Sequence, residues 1–160
     1  MGFHIAGAIA SVIILLPNLL FMAYPPKDMP NQTGKEPVWL TVLENIGRIA
    51  CFLYPITFGA DISMALKSGS IMVYLMAAFI FVYYILWVRY FVRGRKFALL
   101  FEPLYFIPVP MAVFPASYFL ALGLLLQSTL MILAAIVFAA SHISISLITY
   151  QQLKKDDSAV

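Results

Sequence analysis

Cysteine occurs once in these 160 residues, at Cys51, so the chain can form no internal disulfide and no cysteine-based metal site. The residue falls in an apolar stretch and is expected to serve as a small packing group. Charge is as scarce. Only 11% of residues are charged while 63% are hydrophobic, against about a quarter and about half in a soluble domain. With a mean hydropathy of +0.95, that balance excludes a soluble protein. The net charge of +3 does not indicate nucleic-acid binding, because most of the ten Lys and Arg lie in short segments between apolar runs. Also missing are a nucleophile motif, a phosphate-binding loop and a metal-ligand spacing, so neither a metal nor any other cofactor is expected.

Long apolar runs fill the space these absences leave. A crossing needs about 20 apolar residues, and residues 3–24, 38–59 and 71–88 each supply one. A fourth tract, 103–150, is too long for one crossing, and Gly123 with Gln127 and Ser128 marks a turn that divides it into 103–122 and 128–150. The expected fold is an all-α, single-domain membrane bundle of five transmembrane helices; four helices plus a re-entrant segment is the alternative. Residues 3–24 lack a basic leader and end in Tyr24-Pro25-Pro26, so they read as a retained helix and not a signal peptide. Ala6 stands where a myristoylation motif after Gly2 needs Ser or Thr.

Positive charge sets the expected orientation. Segments 25–37, 89–102 and 151–160 carry Lys27, Lys35, Arg89, Arg93, Arg95, Lys96, Lys154 and Lys155, whereas the opposite loops carry Lys67. Five crossings put those three segments on one side, which predicts a cytoplasmic C-terminus and an outside N-terminus. The basic run 89–96 is also suited to contact with anionic membrane lipids.

Polar residues within the spans are few and fall at one level. Glu44 and Arg48 are four apart, so a helix puts them on one face where they neutralise each other. At 1.5 Å per residue, Glu44 and Asn18 lie roughly 9 Å from the predicted cytoplasmic ends, His142 roughly 12 Å and Arg48 roughly 15 Å. Tyr83 and Tyr84 fall close to that level. These six residues are the candidate ligand-binding set. In it Arg48 holds an anionic group, Glu44 and His142 handle protons, and Asn18 is expected to satisfy the backbone that Pro17 disrupts. Pro55, Pro108, Pro110 and Pro115 also interrupt helices, and each removes a hydrogen bond to the carbonyl four residues back. The fourth helix is expected to be distorted at Pro108-Val109-Pro110, with Glu102 before Pro103 as its start. Asp61 is expected near the outer interface. Phe79, Tyr83, Trp87 and Tyr90 form a helical stripe; Trp87, Tyr90 and Trp39 fit an interfacial aromatic belt, and the deeper Phe79 and Tyr83 a cavity wall.

Three functions fit this pattern. The first is binding or transport of a small amphipathic or anionic ligand, for which five helices suit a two-fold repeat transporter poorly, so that transport calls for a homo-oligomer or a partner. The second is an intramembrane enzyme acting on a lipid or isoprenoid, with Glu44 or His142 as acid or base. The third is an accessory subunit whose ion pair is architectural. Five helices in 160 residues resemble the translocator protein family in helix count and length. Trp39 and Trp87 are the only tryptophans where that family is tryptophan-rich, so the resemblance transfers no site residue or activity.

Overall fold

Helices form where the apolar runs predict them, and their ends follow from local chemistry. A computed structural model describes residues 2–29, 36–58 and 62–157. The α-helices are α1 (Ile5–Ala23), α2 (Val38–Phe58), α3 (Ile62–Lys67), α4 (Ile71–Val92), α5 (Pro110–Leu125) and α6 (Thr129–Asp157). No strand occurs among the described residues. Helix α1 stops before Pro25 and Pro26, which cannot continue it. The Ser70 side chain caps α4 by accepting from the Met72 N–H at 3.3 Å.

Helices α1, α4 and α6 are long and apolar enough to cross a membrane. They are compatible with an integral membrane protein. Helix α2 has 21 residues, but Glu44, Asn45 and Arg48 dilute its apolar character, and α5 has 16 residues.

Three boundaries correct the sequence reading. The run 103–109 is not helical, and α5 begins at Pro110 instead of residue 103. Pro103, Pro108 and Pro110 each disfavour helical backbone in the residue before them, and Val109 takes a left-handed φ of 40°. Leu104 and Ile107 exchange backbone hydrogen bonds of 3.0 and 2.9 Å around a two-residue turn. Glu102 therefore starts no helix; its carboxylate lies 3.3 Å from the Arg89 guanidinium. Helix α4 runs to Val92, four residues past the expected end at 88, and α6 runs to Asp157, seven past the expected end at 150; the short α3 was not anticipated. The expected helix end at Gly59, together with Lys35 and Asp61, lies outside the described residues.

The turn between α5 and α6 falls where the sequence placed it, at Gln127 and Ser128. The Gln127 N–H bonds the Leu124 carbonyl and the Ser128 N–H bonds the Gly123 carbonyl, both at 3.1 Å. This is the paired C-terminal motif that favours glycine at the left-handed position, yet Gln127 occupies it with φ 49°. Gln127→Gly relieves that backbone cost and should stabilise the protein by about 1 kcal/mol. A rise in the unfolding midpoint in detergent would show it.

Packing closes the five long helices into a ring in the order α1, α2, α6, α5, α4. Helices α2 and α6 run antiparallel with a fixed register. Thr149 donates to Glu36 at 3.0 Å, and Ser128 donates to the Tyr54 hydroxyl at 2.6 Å. Midway, a Cβ on Gly47 would stand 2.7 Å from the Phe138 backbone nitrogen, so only glycine permits the approach. Helix α1 docks on α2 by the same device, with Gly7 against the Pro55 carbonyl. The His4 N–H reaches the Ile56 carbonyl at 2.9 Å, and Ser11 donates to the Phe52 carbonyl at 3.0 Å. Tyr118 of α5 crosses to the Ala10 carbonyl at 2.8 Å and closes the interior.

These contacts gather the described basic segments at one end of the bundle. The Lys27 N–H bonds the Arg95 carbonyl at 3.1 Å, and Asp28 accepts from the Phe97 N–H at 2.7 Å. The Arg95 guanidinium lies 5.7 Å above the Tyr24 ring. Lys67 sits at the end of α3, which packs on α1.

Candidate functional site

Gly47 determines the site. Because it lets the α6 backbone close on α2, the carboxylate of Glu44, one turn earlier, meets His142, one turn beyond Phe138. His142 Nδ1 lies 2.7 Å from Glu44 Oε1, and the same oxygen receives Arg48 Nη2. A carboxylate can only accept from these groups, so Nδ1 carries a proton and Nε2 is the ring nitrogen left for other chemistry. His142 is stacked on Phe138, with centroids 5.0 Å apart and planes 13° from parallel. The imidazole is thus held in its plane by one contact and in its rotation by the other.

Beside this triad, in the half of the bundle nearer the basic end, lies a cavity of about 350 Å³. All five long helices contribute to it. Arg48, His142, Asn18 and Tyr83 supply polar wall, and Phe52 and Phe119 are among the residues of the apolar wall. Leu100 and Phe101, from the connection between α4 and α5, also line it. The size is at the lower end of the range for small-molecule sites, about 300–1,000 Å³.

Four of the six sequence candidates therefore line one space. Glu44 stands behind its wall, 7% exposed, and bridges two residues that do line it. Arg48 is the accessible member, its side chain 43% exposed. Tyr84 does not join the cavity. Its hydroxyl donates to the Ile13 carbonyl at 2.7 Å, which is the carbonyl deprived of its helical partner by Pro17 four residues on. Tyr84 thus does what Asn18 was expected to do. Asn18 instead accepts from the Tyr83 hydroxyl at 3.4 Å and faces the cavity.

Sequence reasoning missed one lining residue by giving it another role. Trp87 is not in an interfacial belt; it is 6% exposed and lines the cavity, and Tyr90 beside it is fully buried. Trp39 does face outward, at 62% exposure. The i, i+4 step from Tyr83 to Trp87 was the available signal, since it places both on one face. Phe79 packs on Phe114 at 6.3 Å.

No group of three His, Cys, Asp or Glu capable of holding a metal ion occurs among the described residues. No protein family, curated protein or solved structure matches the chain.

Proposed function

We propose that this is a five-span integral membrane protein that binds a small amphipathic anion in its interhelical cavity, as the ligand-recognition step of transport or sensing. The observation that carries this reading is the position of Arg48. Arg48 lines an otherwise largely apolar cavity, and a single carboxylate oxygen accepts from its guanidinium. Arginine offers five N–H donors in a fixed fork, and one carboxylate uses few of them. A ligand carboxylate or phosphate takes the remaining donors, and its apolar body rests on Phe52 and Phe119. Under the positive-inside rule the basic end faces the cytoplasm, which puts the cavity in the cytoplasmic half of the bilayer and the N-terminus outside.

Native mass spectrometry of the detergent-solubilised protein tests this directly. A stoichiometric anionic adduct is expected on the native chain, and Arg48→Ala should lose it through a decrease in affinity of about tenfold or more. A native chain that takes up no anionic amphiphile, even when supplied in excess, would remove the reading.

One observation favours a second reading. An imidazole oriented by a carboxylate at Nδ1, with Nε2 making no hydrogen bond among the described residues, is the arrangement of a general base. In an intramembrane enzyme His142 would take that role on a bound lipid. Turnover of the bound molecule, abolished in His142→Gln with binding retained, separates catalysis from binding.

A further inference from the structure

The two ring nitrogens of His142 have different tasks. Nδ1–H donates to Glu44 Oε1 at 2.7 Å, so the carboxylate fixes which nitrogen keeps a proton. Nε2 makes no hydrogen bond among the described residues and is not one of their buried unpartnered atoms. It stays accessible, on a residue that lines the cavity with its side chain 24% exposed.

An anion upsets the charge balance here. Without it, Arg48 and Glu44 neutralise each other and a neutral His142 adds nothing. A ligand anion at Arg48 brings one negative charge among largely apolar walls, where an unbalanced charge is costly. Glu44 and His142 can each restore the balance by gaining a proton. On Glu44 that proton would weaken both bonds that Oε1 accepts. On Nε2 it fills an unused lone pair, and the imidazolium keeps its Nδ1–H bond while gaining a second charge-assisted donor.

The other ionisable groups around His142 are uncharged at neutral pH or already engaged. On α2, Cys51 is fully buried. On α4, Tyr83 donates its hydroxyl to Asn18, and on α5, Tyr118 donates to the Ala10 carbonyl. Helix α1 has no ionisable side chain. Past α4, Glu102 lies against Arg89, and beyond His142 on α6 Thr149 donates to Glu36 while Tyr150 is the next ionisable side chain.

We propose that the site binds a proton as its second ligand: as the anion settles on Arg48, the Nε2 lone pair of His142 takes a proton from bulk water, and the imidazolium donates to the anion. Glu44 stays ionised and orients the ring throughout. This inference rests on the anion-binding reading above and makes the ligand an anion accompanied by one proton. Linkage is reciprocal, so the proton also tightens the anion. Affinity rises as pH falls, by at most about tenfold per pH unit, and levels off once His142 is protonated without the anion.

Decane-1-sulfonate is the probe, because its charge does not change over the range tested. Calorimetric titration into the full-length protein in detergent uses pairs of buffers that differ in ionisation enthalpy, at steps between about pH 6 and 8.5. The dependence of the heat on the buffer gives the protons bound per anion. A maximum of roughly one half to one proton taken up is expected, with affinity about tenfold or more higher at the acid end. His142→Gln should still bind the sulfonate through Arg48, with no proton uptake and an affinity flat in pH. A second measurement leaves the site untouched. In His4→Gln, His142 is the sole histidine, and its ring-nitrogen NMR signal should move to the imidazolium position when sulfonate is added at fixed pH. Heats independent of buffer, protons released instead of bound, or uptake that persists in His142→Gln each overturn the inference while anion binding stands. Failure of the sulfonate to bind the native protein at any pH overturns the anion-binding reading, and this inference with it.

Discussion

Glu44→Ala lowers the stability of the bundle by about 3 kcal/mol, the lower end of the cost of removing one partner from a buried ion pair. The reason is what stays behind. Arg48 and His142 lose the oxygen they share, and at a position where Glu44 is 7% exposed little water can replace it. The cost stays at the lower end because Arg48 is 43% exposed at its side chain and keeps some access to the cavity. Glu44→Gln retains one acceptor oxygen and should cost less. Replacing both members, in Glu44→Leu with Arg48→Met, should restore much of the loss, because no charge is then left unpaired. Titration with SDS, followed by circular dichroism, ranks the three variants. If the double variant were as unstable as Glu44→Ala, the loss would lie in packing and not in the uncompensated cation.

Gly7→Ala should be at least as damaging, by about 3 kcal/mol, although it adds a single methyl group. The new Cβ would coincide with the Pro55 carbonyl oxygen, which is backbone and cannot rotate aside. Helices α1 and α2 must separate, and that movement strains the His4 to Ile56 and Ser11 to Phe52 hydrogen bonds. It also shifts Asn18 away from Tyr83. Ala6→Gly, one residue earlier, controls for helix propensity and should cost no more than about 1 kcal/mol. Comparable losses in the two variants would show that the close approach is not what Gly7 provides.

The sequence made the charged site legible because covalent periodicity fixes it. Four residues of helix place Glu44 and Arg48 on one face whatever surrounds them. A common depth was enough to bring in His142, Asn18 and Tyr83, since helices that alternate in direction share levels. Facing was harder to read. Trp87 and Tyr90 lie near a basic helix end, where aromatics commonly meet the interface, and the sequence does not say which side of α4 meets its neighbours. Asn18 and Tyr84 exchanged expected roles for a similar reason. Pro17 specifies which carbonyl loses its partner, and the replacement donor comes from a helix about 70 residues away.

The amino-acid sequence by itself determined the all-helical class, the apolar spans, the scarcity of polar interior groups and the concentration of positive charge in the segments between spans. Each follows from composition or from the 3.6-residue repeat, and both act along the chain. Only the tertiary structure decided that Glu44 serves His142 as well as Arg48, that Tyr84 repairs the α1 backbone, and that Trp87 looks into a cavity. Those relations depend on how closely two helices approach and at what register. Here Gly47 and Gly7 set that approach, because a missing Cβ lets backbones meet where any other residue would hold them apart.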